Sequence, residues 1–508
     1  MPFASLITAE RVRPLVETLA GAEMQGRETG EEGQRRAADF IAAQFKALGL
    51  PPVADRNTYF QQISLINENW KDIGLKVGEK EFKNRTDFYV FPSFNPSTPK
   101  LELKEVVFVG YGIEDPKHND YGNVDVKGKA VIFYDGEPMS SDGKSLITGT
   151  QFRSAWSLDW KRKVQLAKQK GAIMALIVDT QFGESLKANR RLISTWGWKP
   201  TSTSNEREAN EFINNIFITP SVAADILGKK ADKADEAIAA LKGGKDFKPV
   251  KVKTKIEARF EKEIKKLNGS NVVGFIEGTD SVLKKQYVVV TAHYDHLGMP
   301  DSSVIYYGAD DNASGTAGVI EIARAFAEAK KAGVGPKRSV ICMLVSGEEK
   351  GLLGSKFYVE FPLFPLKQTV ANVNIDMIGR VDKAHEGNPD YVYVIGSDRL
   401  STTLHQLSEE MNERFIKLEL DYKYNDPNDP NRYYERSDHY NFAERGIPAI
   451  FYFNGTHADY HKPTDTADKI NYEALAKRAQ LAFCTAWDIA NRPTAPYVDK
   501  PLPERKRD

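Results

Sequence analysis

The chain has 508 residues, 41% of them hydrophobic, which is too long for one ordinary core and predicts two domains, or one domain carrying a large insertion. Its 70 basic and 70 acidic residues balance, which argues against nucleic acid or a membrane surface as partner, since both select a basic excess. No apolar run approaches the roughly 20 residues of a membrane-spanning helix. The two cysteines, Cys342 and Cys484, supply neither a disulfide framework nor a cysteine-based zinc site. Met1-Pro2-Phe3-Ala4-Ser5 lacks the basic segment and apolar core of a secretion signal, so the expectation is a cytoplasmic protein or one whose signal has been removed.

Residues Thr8 to about Leu50 read as helical, with Ala37, Ala38, Ile41, Ala42, Phe45 and Leu48 at three- and four-residue spacing and Gly49 as the stop. From about Tyr59 the period changes. Leu101-Glu102-Leu103, Val106 to Val109 and Ala130 to Tyr134 read as short strands between Gly, Asp and Pro turns, and a helix over Arg162 to Gly171 leads to a strand at Ala175 to Val178. This predicts a small α/β insertion over residues 61–253, after a helical part, 1–60, that belongs to the domain resumed at 254–508.

From Asn271 onward, strands and helices alternate. Strands are predicted at Val288, Val340 to Val345, Val370 to Ile375, Tyr391 to Ile395 and Ala449 to Phe453. The helices fall at Ser314 to Lys331, Gly351 to about Val359, around Leu404, and at Tyr472 to Asn491. Such alternation predicts a three-layer α/β/α fold with a mainly parallel, mixed sheet, whose ligands bind at the carboxyl ends of the strands.

Ligand-type side chains recur at those ends. His293 and Asp295 follow the strand at Val290, Asp310 and Asp311 precede a helix, Glu348 and Glu349 follow Val345, and Asp376 follows Ile375; Asp459, His461 and Asp465 come later. Each pattern alone has an ordinary explanation: Asp-Asp before a helix caps it, Glu-Glu starts a solvated helix, and a lone Asp closes a turn. Their joint placement does not, because gathering so many carboxylates without a cation costs each several kcal/mol of solvation. Imidazole with carboxylate suits zinc, with cobalt or manganese as substitutes, and a pair of ions about 3.5–4 Å apart needs a bridging carboxylate.

In this order, His293-Tyr294-Asp295, Gly308 to Gly315, Ser346-Gly347-Glu348-Glu349, Asn374-Ile375-Asp376-Met377, Arg436-Ser437-Asp438-His439 and Tyr460-His461 resemble the M28 di-zinc metallopeptidases, over about Asn271 to Ile470. That family includes bacterial aminopeptidases and relatives of glutamate carboxypeptidase. The resemblance implies a zinc-peptidase sheet and two Zn2+ per chain. Asp311 would bridge the ions, with His293 and Asp376 on one and Glu349 and His461 on the other. Asp295 would orient His293, and Glu348 would be the general base toward a metal-bridging water. Tyr460 would donate to the oxyanion and Arg436 would hold a substrate carbonyl or terminal carboxylate. His296, Asp438, His439, His457 and Asp465 would fix loops and ligands, while His118, His385 and His405, outside the motifs, are expected at the surface.

Within the insertion, Val106 to Ile113, Asp125 to Ile132 and Gln165 to Val178 resemble a protease-associated domain, which implies a lid without chemistry of its own and a surface on which a homodimer could form. The implied activity is that of a peptide-cleaving exopeptidase, an aminopeptidase ahead of a carboxypeptidase or dipeptidase, and the family implies a secreted or periplasmic setting. A glutaminyl-cyclase-like acyltransferase would need only one zinc, and a receptor-like relative would lack ligands; here no ligand is missing. No Gly-x-Ser-x-Gly elbow occurs, against a serine hydrolase.

Overall fold

The computed structural model describes residues 3–189, 193, 198–201, 211–242, 247–300 and 303–501. They divide into two units, Met1–Leu65 with Leu267–Asp508, and Ile66–Lys266. The boundary expected near Lys253 falls inside one uninterrupted strand, Val250–Ile276, and the contacts divide within that strand at Lys266.

The larger unit begins with α1 (Ala9–Leu19) and α2 (Glu32–Ala47), so the helical stretch read from Thr8 to Leu50 is interrupted. The break is a tight turn over Ala22–Arg27 in which Gln25 and Gly26 leave helical geometry. After the end of β1 (Val250–Ile276) come β2 (Tyr287–His293), α3 (Gly315–Lys331), β3 (Ser339–Val345), α4 (Leu353–Glu360) and β4 (Thr369–Ile375). The chain continues through β5 (Tyr391–Ile395), α5 (Thr402–Met411), β6 (Glu419–Asp421), α6 (His439–Ala443) and β7 (Ala449–Phe453), and α7 (Tyr472–Asn491) closes it.

The strand order is β6-β5-β7-β4-β2-β3-β1. The pairs β3–β2, β2–β4, β4–β7 and β5–β6 are parallel, while β1–β3 and β5–β7 are antiparallel. The central strands are apolar on both faces, and their residues alternate between two cores. Val288, Val290, Val340, Cys342 and Leu344 pack with α1, α2, α3, α5 and α7; Val289, Ile341, Met343 and Val345 pack with Tyr358 of α4 and Phe442 of α6. Each such side chain contributes about 1.5–3 kcal/mol on full burial. This is the predicted three-layer α/β/α arrangement, and its parallel strands β2, β3, β4 and β7 all end at one edge.

In the smaller unit, Thr98–Phe108, Ala130–Tyr134, Met174–Val178 and Asn214–Ile218 form a parallel series. Phe88–Tyr89 and the first part of β1 add antiparallel edges. The two strands read at Leu101 and Val106 are one, since Lys104 and Glu105 lie on it without breaking it.

Among the described residues no helix is long and apolar enough to cross a membrane. Cys342 and Cys484 are free and buried, and burial pushes both thiols up, Cys484 to about 12. Two of the histidines expected at the surface are held inside instead. His118 lies 2.8 Å from Asp120 with 7% of its side chain exposed; His385, 9% exposed, lies 2.8 Å from Asp382 and stacks on Tyr391 at 3.5 Å. Each sits beside a carboxylate that accepts its ring N–H, a partner the sequence alone does not reveal. His405 is more open and sits 2.9 Å from Ser397 Oγ.

Candidate metal centre

His293 is the last residue of β2 and is buried. Its Nδ1 lies 3.1 Å from the backbone carbonyl of Asp295, which can only accept, so Nδ1 carries a proton and Nε2 is the nitrogen turned toward the acids. Nε2 faces Asp376 Oδ1 at 3.1 Å and Asp311 Oδ1 at 3.3 Å. The ring is therefore oriented by the main chain of Asp295. The Asp295 carboxylate, 3.8 Å from Nδ1, has other partners: Oδ2 accepts from Thr29 Oγ1 at 2.7 Å and Oδ1 from the Glu348 amide at 3.2 Å.

Asp311 lies in a π-type turn, Ala309–Ser314, that feeds α3. Glycine is required at both flanks. Gly308 has φ +55°, and a Cβ there would sit 2.1 Å from the Asp311 carbonyl; one on Gly315 would sit 2.4 Å from Asn312 Oδ1. Asp465 Oδ2 accepts from the amides of Asp310 (3.0 Å) and Asp311 (3.1 Å), which aims the Asp311 side chain into the cleft. Its Oδ1 faces His293, and its Oδ2 lies 3.0 Å from His461 Nε2. Asp310 points away, accepting from the amide of Gly379 at 2.7 Å and from Asn454 Nδ2 at 3.1 Å.

Glu349, in the turn after β3, divides its oxygens in the same way. Oε1 lies 2.8 Å from His296 Nδ1 and Oε2 lies 3.3 Å from His461 Nε2. Two donor sets thus converge: His293, Asp311 and Asp376, and His296, Asp311 and Glu349, each with ligand atoms within 4.8 Å of one another. In the second set two imidazoles compete. His296 Nδ1 is at hydrogen-bond distance from Oε1 and 3.7 Å from Asp311, whereas His461 Nε2 lies within 3.3 Å of both Asp311 Oδ2 and Glu349 Oε2. Both imidazoles thus face the second set, His296 through Glu349 and His461 through Asp311 and Glu349 together.

Asp311, Glu348, Glu349 and Asp376 make no ion pair with lysine or arginine among the described residues; the basic groups that touch them are imidazoles. Burial, and then the like charges of Glu349, Asp376 and Asp438, push Glu348 well above the usual carboxylate range, with His293 opposing. Burial also disfavours the charged forms of His293 and His461. The neighbouring carboxylates outweigh it, holding His293 well above its ordinary value and His461 up at about 10. Such a surplus of acceptors around paired imidazoles fits divalent cations.

A narrow cleft opens on Glu348, with Met377, Tyr433, Phe451 and Phe453 as apolar wall. Tyr460 stacks on His461 at 3.9 Å, and its hydroxyl accepts from Arg436 Nη2 at 3.2 Å; both also line the cleft.

Sequence reading gave no role to Arg27 and Thr29. The Arg27 guanidinium is fully buried and donates to the carbonyls of Tyr294, Tyr307 and Gly308, each at 2.8 Å, and to that of Leu19. Burial lowers it to about 10, opposed by Asp311, Asp465, Asp295 and Glu349. It therefore brings a fixed cation to the acidic cluster and ties the α1–α2 connection to the loops around His293 and Asp311. The available signal was the run Gly26-Arg27-Glu28-Thr29-Gly30, two glycines inside a supposed helix.

The parallel-edge placement and the two donor sets define a carboxylate–imidazole centre whose chemistry suits a divalent cation. Residues 271–486 match the profile of Peptidase family M28. Aminopeptidase YwaD of Bacillus subtilis (strain 168) is 29% identical over 240 residues, 45% of this chain and 47% of that protein. A protein of Pyrenophora tritici-repentis named a probable zinc metalloprotease is 26% identical over 275 residues, 45% of this chain and 53% of that one. The chain thus spans about half the length of these curated relatives. A solved structure, an aminopeptidase from Aneurinibacillus sp. strain AM-1, superposes with a TM-score of 0.47 at 20% identity, covering 98% of both chains.

Proposed function

We propose that the protein is a zinc-dependent exopeptidase, an aminopeptidase in the first instance, that holds two Zn2+ per chain. The observation that carries this reading is the division of Asp311, one oxygen toward His293 and the other toward His461. Asp311 would bridge the ions; His293 and Asp376 would complete one site, and Glu349 and His461 the other. Bound zinc would supply Lewis acidity toward water and the scissile carbonyl.

The chain's own groups do the rest. Glu348 lines the cleft without being needed as a ligand, and its raised pKa suits a base that takes a proton from the attacking water and returns it to the leaving amine. Tyr460 donates its hydroxyl proton toward the developing oxyanion, and Arg436, donating to the Tyr460 oxygen, makes it a better donor while keeping N–H groups for a substrate carbonyl or carboxylate. The names of the relatives, an aminopeptidase and a zinc metalloprotease, support the same activity. The inserted unit we read as protease-associated in type, with no chemistry of its own.

Metal analysis combined with hydrolysis of free, N-blocked and C-blocked dipeptides tests the proposal. Two zinc ions per chain and cleavage that requires a free amino terminus are expected. Cleavage that requires a free carboxyl terminus would make it a carboxypeptidase, a requirement for both ends a dipeptidase, and a single zinc without hydrolysis would favour the cyclase-type alternative.

A further inference from the structure

We propose that the groove between α1, α2 and α3 of the larger unit is a binding site for a free α-amino acid with an apolar side chain, held through the paired Glu321 and Arg324. None of the residues lining this groove lines the cleft at Glu348. The ligand class follows from the chemistry of the groove; the exopeptidase reading adds only a source, since a free amino acid is what that reaction releases.

Glu321 is a residue that a helix as buried as α3 does not need for packing. Its neighbours Val319, Ile320, Ile322, Ala323, Ala325 and Phe326 are apolar and fully buried, and Glu321 is 1% exposed among them. Arg324, one turn further on, donates through Nε to Oε1 at 2.8 Å. An i, i+3 ion pair accounts for that oxygen, and on an exposed helix face the other would be left to water. Here Oε2 is buried with no hydrogen-bond partner among the described residues. A carboxylate oxygen shut away from water and left unmet is unfavourable, which calls for a donor that the chain does not supply.

The walls specify what brings that donor. Glu321 and Arg324 line the groove with Arg11 and Leu15 of α1 and Phe40 of α2. Leu15 is buried and Phe40 partly buried, which makes one wall apolar. Arg11 is exposed and enters no ion pair among the described residues, whereas Arg13, two places on, pairs with Glu17. Glu10, on the same wall, already accepts from the Thr8 hydroxyl. A bare cation would meet two guanidinium groups here, and a bare anion would meet the Glu321 carboxylate. A zwitterion suits both. Because Oε1 and Nε of the pair are 2.8 Å apart, the remaining atoms of the carboxylate and the guanidinium stand side by side, as the ammonium and carboxylate on one α-carbon do. The ligand ammonium donates to Oε2, its carboxylate accepts from Arg324 and Arg11, and its side chain lies on Leu15 and Phe40.

The test is equilibrium dialysis of labelled leucine against the metal-free full chain, with N-acetyl-leucine, leucine amide and ε-aminocaproate as competitors and urea denaturation as the control for folding. Saturable binding of leucine is expected. The first two competitors each lack one charge and the third holds its charges far apart, so each should compete about 10-fold or more weakly than leucine. Glu321→Gln keeps the shape and an oxygen for Arg324 but puts an amide N–H where Oε2 stood, and should weaken binding by about 10–100-fold. Glu348→Gln, at the cleft, should bind leucine as the wild type does. The proposal is overturned by an absence of saturable binding, by equal competition from the singly charged analogues, by wild-type affinity in Glu321→Gln, or by loss of binding in Glu348→Gln. If Glu321→Gln does not fold, the exposed Arg11→Ala should weaken binding several-fold, and an unchanged constant there would overturn it as well. Failure of the exopeptidase reading is distinguishable, because this binding is read without metal and without turnover.

Discussion

Thr29 Oγ1 lies 2.7 Å from Asp295 Oδ2, a buried hydrogen bond between residues 266 positions apart. The other Asp295 oxygen accepts from the amide of Glu348, so one carboxylate joins the α1–α2 connection, the loop after β2 and the turn that carries the proposed base. Thr29 also lies 3.2 Å from Ser346 Oγ, at the start of that turn. The position of Glu348 is thus set partly by a residue outside the matched segment 271–486.

Thr29→Val keeps the shape and removes the donor, leaving Asp295 buried with one acceptor unmet. A stability loss of about 1–3 kcal/mol is expected, together with a several-fold fall in kcat as the Glu348 turn loosens. Urea denaturation and steady-state peptidase assays check this; an unchanged midpoint with unchanged kcat would mean that the hydrogen bond does not position the turn.

Glu348 and Asp311 should separate in their effects. Glu348→Gln keeps the volume and leaves every proposed ligand in place, so both zinc ions should remain while turnover falls by about 10²–10⁴-fold. Asp311→Ala removes the shared carboxylate and should lose metal as well as activity. Zinc content and kcat measured on the same preparations decide the matter, and a Glu348→Gln protein with near wild-type rates would remove Glu348 from the mechanism.

Much of this architecture was legible because the central strands are buried on both faces. Unbroken runs such as Val340 to Val345 stand out, and α7 has the bounds its periodicity predicts, Tyr472 to Asn491. The gathering of His293, Asp311, Glu349, Asp376 and His461 was legible for a related reason, since parallel strands deliver their carboxyl ends to one edge. Other features were hidden. The strand Val250–Ile276 carries Glu261, Lys262, Glu263, Lys265 and Lys266 in mid-course, a charge run that reads as a break. Thr29 is a neutral side chain whose meaning depends on a partner far along the chain. His296, read from the sequence as a loop-fixing group, lies 2.8 Å from Glu349, beside the same carboxylates that His461 faces.

Zinc loading should release protons. In the metal-free site His293 is held well above its ordinary value and His461 at about 10, so both imidazoles are protonated at neutral pH and must give up a proton to bind a cation. The apparent affinity should therefore keep rising with pH toward about 10. Because the folded value of His461 is raised, its contribution to metal-free stability is present below 6.5 and lost as pH rises through about 10. Calorimetric titration in buffers of different ionisation enthalpy measures the release, and a binding heat independent of buffer would contradict it.

His439 should set the acid limb of stability. It is fully buried against Phe451, with ring centroids 4.9 Å apart, and against Tyr434 at 5.4 Å. Burial lowers its pKa from 6.5 to about 3. The unfolded chain therefore binds this proton between those two values and the folded protein does not, so stability is full above 6.5 and declines as pH falls toward 3. His439→Phe keeps an aromatic ring against Phe451 and abolishes the titration, so its urea midpoint should fall less steeply than that of the wild type below 6.5. Urea midpoints of both proteins in metal-free buffer across that window measure the difference, and parallel slopes would show that His439 is not the group that titrates.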